Sequence, residues 1–246
     1  MSKPLPDPPP PIWTQPAPGS RRPKLTREQI ATAALGLADA DGYDALSMRR
    51  VAEALGVGTM SLYYYVRNKD DLRALMEDAL MGEILVPDAD LARPWRDAMS
   101  AIARTSLDVF LRHPWVLFAP DEGRTGPNGI KHMEQSMAAL RTSSLSDVEK
   151  FELITLVDDY VIGHALRLRE PWVIAEDSDT GRALNQFITE QLEKGDFPEL
   201  TRVFGNEAPT AVIRRLWEST ENRTRFERGL RALLNGFDTD SSPQLR

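Results

Sequence analysis

The chain has 246 residues, of which 41% are hydrophobic, and is therefore long enough to bury one large core or two smaller ones. A formal net charge of −7 excludes a protein that coats nucleic acid through bulk positive charge. The lack of cysteine excludes disulfide bonds and thiolate metal sites, and no apolar run approaches the roughly 20 residues of a membrane span, so we expect a cytoplasmic protein.

The first 24 residues include nine prolines, which remove backbone hydrogen-bond donors and favour an extended chain. We predict that residues 1–24 form a disordered spacer, and a ligand for a proline-recognising domain is the alternative. The segment ends in Arg21-Arg22-Pro23-Lys24, which places three positive charges directly before the first predicted helix.

Helical periodicity begins after this segment, and polar caps separate the first elements. Thr26, Ser47 and Asn68 are placed to cap helix N-termini, and Gly56 is placed to supply the positive φ of a helix end. The first four predicted helices cover about 26–40, 48–55, 59–66 and 68–85.

Amphipathic patterns continue along the rest of the chain, separated by glycine and proline clusters. Further helices are expected at about 94–112, 113–119, 128–142, 147–169, 180–194 and 209–236. No segment alternates β-branched and polar residues as a strand would. We therefore predict an all-α fold, with a three-helix helix-turn-helix domain at 25–70 and a larger helical bundle at 71–240.

The second and third helices form a helix-turn-helix candidate. Leu55-Gly56-Val57-Gly58 is a tight turn that sets two short helices at a steep angle and presents the second one outwards. Hydroxyls and aromatic rings on that side suit phosphates, base edges and thymine methyl groups. Core packing is the alternative for each tyrosine, because at least one of three consecutive side chains must face inwards. The residues expected to contact DNA are Ser47, Arg49, Thr59, Ser61, Tyr63, Tyr64, Tyr65 and Lys69.

The run LSMRRVAEALGVGTMSLYYYVRNKDDL resembles the DNA-binding module of the TetR (tetracycline repressor) family, and the likeness extends from about Leu25 to Leu75. The resemblance implies base or backbone contacts for Arg49, Thr59, Ser61, Tyr63, Tyr64 and Tyr65. It implies phosphate contacts for Ser47, Tyr63 and Lys69. It also implies a repressor that a small organic molecule releases from its operator.

A single short helix offers too little contact for operator affinity, so we expect a homodimer on two half-sites of double-stranded DNA. The resemblance implies that the helices near 147–169 and 209–236 pair with those of the partner. Ordinary core packing is the alternative for their apolar residues.

Residues 95–165 are rich in adaptable apolar side chains, and we expect them to enclose a largely apolar or aromatic organic effector, with ordinary core packing as the alternative for each side chain. A looser likeness of RHPWVLFAP and LVDDYVIGHAL to the tetracycline-repressor C-terminal domain implies the cavity residues Leu85, Ile102, Ser106, Met137, Phe151, Ile154, Thr155 and Asp158. The chain departs from tetracycline-binding members, because no histidine occurs in 116–131 and Arg167 stands near their acidic position. We therefore expect neither magnesium–tetracycline nor any other metal.

A helical enzyme or small-molecule carrier with an incidental helix-turn-helix is the competing hypothesis. The chain has three histidines and lacks GxSxG, HExxH and phosphate-cradling glycine motifs, so we predict neither catalysis nor a cofactor. For the arm from Arg21 to Lys24 we expect contact with the adjacent minor groove, and a solvated run of charge is the alternative.

Overall fold

The computed structural model describes residues 10–15, 25–118, 125–169, 174–175, 177–219 and 223–237. Every regular element in these ranges is helical, which confirms the all-α prediction. Short 3-10 helices occur at Ile12–Thr14, Tyr43–Ala45 and Pro114–Phe118. The α-helices are α1 (Arg27–Asp41), α2 (Met48–Ala54), α3 (Thr59–Tyr63), α4 (Lys69–Ile84), α5 (Asp88–Leu91), α6 (Trp95–Arg112), α7 (Pro127–Ala139), α8 (Asp147–Arg169), α9 (Asp179–Leu192), α10 (Pro198–Phe204), α11 (Pro209–Glu218) and α12 (Arg223–Asn235).

The predicted caps define the starts of α1, α2 and α4. Thr26, Ser47 and Asn68 each accept a hydrogen bond from the amide three residues further on, at 3.2, 3.3 and 2.8 Å. The Gln29 side chain in turn accepts a hydrogen bond from the Thr26 amide at 2.9 Å, which completes a capping box. These bonds satisfy amides that the first turn of a helix leaves unpaired.

A single hydrophobic core joins α1, α2 and α3 to α4, and α4 packs against α6 and α7 as well. The side chains that fill it include Ile30, Ala34, Ala52, Leu62, Val66, Leu72, Met76 and Leu80, all of them buried. The helix-turn-helix and the bundle that follows it are therefore built on one shared helix.

The described residues divide into two compact units, one running up to Ala165 and including Phe237, the other spanning Leu166–Gly236. The first unit extends past the predicted boundary at residue 70, because α4 packs against both α1 and α7. The functional domains 25–70 and 71–240 stay a prediction.

The second unit contains α9 to α12. Within it the Arg167 guanidinium lies 4.6 Å from the centroid of the Trp217 ring, and the Thr210 amide donates to Asn185 Oδ1 at 2.8 Å. The helix predicted at 209–236 is wrong as one element, because α11 ends at Glu218 and α12 begins at Arg223. The Ser219 hydroxyl donates to the Leu216 carbonyl at 2.7 Å, and such local bonds compete with helix continuation.

Other predicted helices need smaller corrections. The segment predicted as a helix at 113–119 is the 3-10 helix Pro114–Phe118, and α3 ends at Tyr63 rather than at 66. The short helices α5 and α10 were not predicted. No helix in the described ranges is both long enough and apolar enough to cross a membrane.

Residues 10–15 contradict the expectation of a spacer without packed residues. Ile12 is only 2% exposed and belongs to the same core as α1 to α4, and Trp13 packs against that core. The Arg67 Nη2 donates to the Pro10 carbonyl at 3.1 Å. Proline content indicates an extended chain, but an isoleucine and a tryptophan within it supply apolar surface that a neighbouring core can bury. Residues 1–9 and 16–24 lie outside the described residues.

We expect Ile12→Ala to lower the free energy of unfolding by about 2 to 4 kcal/mol, because it removes a fully buried side chain from a packed core. Urea denaturation followed by circular dichroism measures the change. The control is Thr14→Ala, which alters an exposed side chain of the same turn and should change stability by about 0.5 kcal/mol or less. Equal, small effects of the two substitutions would contradict the packing of Ile12.

Candidate nucleic-acid interface and effector cavity

The turn between α2 and α3 fixes the direction in which α3 points. Gly56 has a φ of +66°, where an L side chain is strained. The Gly56 amide donates to the Glu53 carbonyl at 3.1 Å and the Val57 amide to the Ala52 carbonyl at 3.0 Å. This is the Schellman pattern of a helix end, as predicted for Gly56.

The outward side of α3 is polar and aromatic above a buried Leu62. Tyr65 is half-buried against the core, and its ring meets the Tyr64 ring edge-on at 5.6 Å between centroids. Tyr65 is thus the tyrosine that turns inwards. Met60 of α3 is exposed as well, although it is not among the predicted contacts. We call the following exposed residues the α3 face: Met60, Ser61, Tyr63 and Tyr64, of which Met60 is 81% and Tyr64 61% exposed.

The remaining predicted DNA contacts lie at the N-terminal ends of α2, α3 and α4. Ser47 caps α2 through its oxygen, which leaves its hydroxyl hydrogen free to donate to a phosphate. The Arg49 Nε donates to Glu53 Oε1 at 2.8 Å in an exposed pair, and such pairs are weak enough to be exchanged for a phosphate or a base edge. Thr59 is half-buried in the first turn of α3, and Lys69 is exposed at the start of α4.

A stack of side chains connects this region to the segment after α6. The Lys69 ammonium lies 4.9 Å from the centroid of the Tyr43 ring, which stacks on the Trp115 ring at 5.6 Å. The Trp115 indole donates to Asp39 Oδ1 at 2.9 Å, and His113 Nδ1 lies 2.8 Å from the same oxygen. The 3-10 helix Pro114–Phe118 is therefore bound to α1 and to the base of α4.

A cavity of about 580 Å³ lies between α4, α6, α7 and α8. Four of the predicted cavity residues line it, and their spacing places them on one face of α8: Phe151, Ile154, Thr155 and Asp158. Val116 and Leu117 of the 3-10 helix contribute to its wall, so this wall continues directly from Trp115.

The structure does not bring the other four predicted residues to this cavity. Ile102 and Ser106 are buried within the packing of α6, and Leu85 is half-buried at the end of α4. Met137 is half-buried on α7, directly after Ser136, which does line the cavity. A loose likeness fixes the position of a residue only to within about one turn of its helix. An error of one position rotates the predicted side-chain direction by about 100° around the helix axis, which is enough to point it away from the cavity.

Several lining residues were not predicted, among them Glu77, Asp78, Gly126 and His132. Asp78 Oδ1 accepts hydrogen bonds from the amides of Asn128 at 2.8 Å and Gly129 at 3.1 Å, so a buried carboxylate holds the N-terminus of α7. A Cβ at Gly126 would lie 2.7 Å from Trp13 Cε2, so only glycine fits there. The Asp78 hydrogen bonds join segments about 50 residues apart, and the Gly126–Trp13 approach joins segments more than 100 residues apart, so no local pattern signals either.

Two titratable groups in the cavity wall are shifted by their surroundings. Burial, together with the smaller effect of the neighbouring Asp159 carboxylate, raises the pKa of Asp158 to about 6. Burial lowers the pKa of His132 and so favours its neutral form.

Comparisons with known proteins agree with this architecture. Residues 30–76 match the family described as bacterial regulatory proteins, tetR family, and residues 87–240 match the tetracyclin repressor-like C-terminal domain. The second match alone covers more than half of the chain.

The chain is 42% identical over 159 residues to the HTH-type transcriptional repressor DrrR1 of Streptomyces coeruleorubidus. The matched segment covers 63% of this chain and 58% of that repressor. An HTH-type transcriptional regulator of Saccharopolyspora erythraea is 30% identical over 228 residues, 92% of this chain and 90% of that protein. Apo ActR from Streptomyces coelicolor superposes with a TM-score of 0.63 at 30% identity, covering 88% of this chain and 96% of ActR. ActR has also been solved in complex with actinorhodin.

Proteins of this kind bind operator DNA as dimers, respond to small-molecule effectors and are regulators rather than enzymes, so the competing enzyme hypothesis is rejected. The helix-turn-helix, the helical bundle and both family matches lead to one conclusion: the chain belongs to the TetR family of DNA-binding transcriptional regulators.

Proposed function

We propose that the protein is a repressor that holds its operator as a homodimer and leaves it when an apolar or aromatic organic molecule fills the cavity. The observation that carries this proposal is the position of α4. Its first half shares one buried core with α3 through Leu72 and Leu62, whereas Glu77 and Met81 in its second half line the cavity. An occupant that shifts α4 also shifts the α3 face.

The proposed DNA contacts combine the predicted residues with the structure. The α3 face enters the major groove, and Arg49 reaches a guanine edge or a phosphate at the same site. Ser47, Thr59 and Lys69 contact phosphates from helix ends, and Tyr65 supports Tyr64 from the core side. The basic arm from Arg21 to Lys24 lies outside the described residues, and its minor-groove contact remains a proposal of the sequence alone.

Exposed apolar side chains on α8 support the proposed dimer. Val148 is 78% and Leu156 39% exposed, and a partner would remove this surface from water. In α12 the large apolar residues Phe226, Leu230 and Leu234 are already buried within the chain, so the core alternative holds for them. Leu216 of α11 is exposed and remains available to a partner.

A second connection between cavity and DNA supports release by an effector. Val116 and Leu117 line the cavity, and Trp115, which precedes them in the same 3-10 helix, stacks on the Tyr43 ring. Tyr43 in turn contacts Lys69 at the start of α4. An effector that displaces the 3-10 helix therefore acts on α1 and α4 together. The apolar wall suits an organic effector, and the ActR complex with actinorhodin shows that a relative takes one. Because its proposed target is operator DNA, we propose that the protein acts in the cytoplasm.

The proposal is tested by selecting operators from random duplex DNA and measuring binding by fluorescence anisotropy, with stoichiometry from native mass spectrometry. We expect an inverted repeat that binds two protomers, and lower affinity when acridine, an uncharged aromatic probe, is added. An unrelated repressor on its own operator controls for acridine bound to DNA. Sequence-independent binding overturns the regulator assignment, and unchanged operator affinity of the acridine-bound protein overturns release.

A further inference from the structure

We propose that the effector is an aromatic cation, and that Asp158 receives its positively charged N–H group inside the cavity. The inference rests on the proposed function and deepens it, because it names the charge of the molecule that the cavity takes. It follows from the pairing of the carboxylates in the cavity wall.

Three carboxylates line the cavity, and two of them have partners within the chain. Glu77 Oε1 lies 3.4 Å from Arg73 Nε in an ion pair along α4. Asp78 accepts the two amide hydrogen bonds at the start of α7. Asp158 makes no hydrogen bond or ion pair with any described residue, and its neighbour on α8 is another carboxylate, Asp159.

The described residues of the cavity wall include no lysine or arginine. An anionic ligand would therefore meet three carboxylates and would find no cationic side chain among these described wall residues to offset the cost of its desolvation. A cation gains from the unpaired Asp158 carboxylate, and partial burial strengthens that attraction relative to water.

Aromatic rings complete the site for such a ligand. Phe110 and Phe151 line the cavity and supply aromatic surface that suits a flat apolar body or a cation. His132 Nδ1 is buried without a hydrogen-bond partner among the described residues, so a polar group of the ligand can satisfy it. Because burial lowers the pKa of His132, the ring stays neutral beside a bound cation.

The test uses three probes with one ring system at about pH 8: 9-aminoacridine as the cation, acridine as the neutral compound and acridine-9-carboxylate as the anion. At this pH the Asp158 carboxyl is ionised, because its pKa lies at about 6. We expect the full-length protein, without DNA, to bind the cation at least 10-fold more tightly than acridine and the anion more weakly than either. Isothermal titration calorimetry measures all three.

Asp158→Asn is expected to reduce the affinity for 9-aminoacridine to that for acridine and to leave acridine binding unchanged. The matched control is Asp159→Asn, which removes an adjacent exposed carboxylate and should keep the preference for the cation. If all three probes bind alike, or if Asp158→Asn retains the preference, the aromatic cavity of the proposed function stands and the cation inference is overturned. If no probe binds to a protein that still recognises its operator, the cavity is not a site for such effectors and both proposals fail.

Discussion

Replacing Tyr64 and Arg49 together by alanine should weaken operator binding by about 100-fold, since each contact to a base edge contributes about 1 to 3 kcal/mol. Tyr64 is 61% exposed, and among the described residues the Arg49 side chain bonds only to the exposed Glu53. Neither side chain supports the core, so the fold should persist and the loss should come from DNA alone. Anisotropy with the selected operator and with random duplex DNA measures affinity and preference separately.

The control for this pair is Glu53→Ala, which breaks the same ion pair but leaves the Arg49 guanidinium free for DNA. We expect it to change operator affinity by about threefold or less, because an exposed ion pair contributes little. An unchanged affinity of the double variant, with its preference for the operator intact, would show that the α3 face does not read DNA.

Asp78→Ala should lower the free energy of unfolding by about 2 to 5 kcal/mol, which is the largest effect on stability that we expect from one side chain of the bundle. The substitution leaves the amides of Asn128 and Gly129 without their acceptor, and it removes a negative charge from the N-terminus of α7. Urea denaturation measures the loss.

Asp78→Asn is the matched variant, because its Oδ1 can still accept both amide hydrogen bonds. We expect it to lose about 1 kcal/mol, which corresponds to the charge alone. A loss below about 1 kcal/mol in Asp78→Ala would mean that the amides find water as a substitute and that this contact does not hold α7 to α4.

The parts of the fold that the sequence predicted correctly depend on interactions over a few residues. Thr26, Ser47 and Asn68 each accept a hydrogen bond from an amide three residues away. At Gly56 the turn is closed by the hydrogen bond from the Val57 amide to the Ala52 carbonyl. Such contacts form whatever the rest of the chain does, so residue type and spacing suffice to predict them.

The tyrosine triplet shows where local reasoning stops. Helix geometry required one inward-facing ring, but only the packing against α1 and α4 decides that it is Tyr65. DNA contact for Tyr63 and Tyr64 stays a prediction, although the structure gives both the exposure that it requires.

The cavity could be predicted only in part for a related reason. Phe151, Ile154, Thr155 and Asp158 follow the period of one helix, so the likeness in α8 placed all four together. The opposite wall depends on how α4 meets α7, and that contact is made by Asp78 with residues about 50 positions later. Neither Asp78 nor His132 belongs to a sequence pattern that predicts this contact between α4 and α7.

The burial of Ile12 in the core determines how far the protein can be truncated from its N-terminus. The family match starts at residue 30, and a chain cut near Thr26 keeps every α-helix. It would nevertheless lose the buried Ile12 side chain and the hydrogen bond from Arg67 to the Pro10 carbonyl. The apolar core surface that Ile12 covers would then be exposed to water. We expect such a fragment to aggregate during purification, whereas a tag placed before residue 10 would leave Ile12 packed in the core.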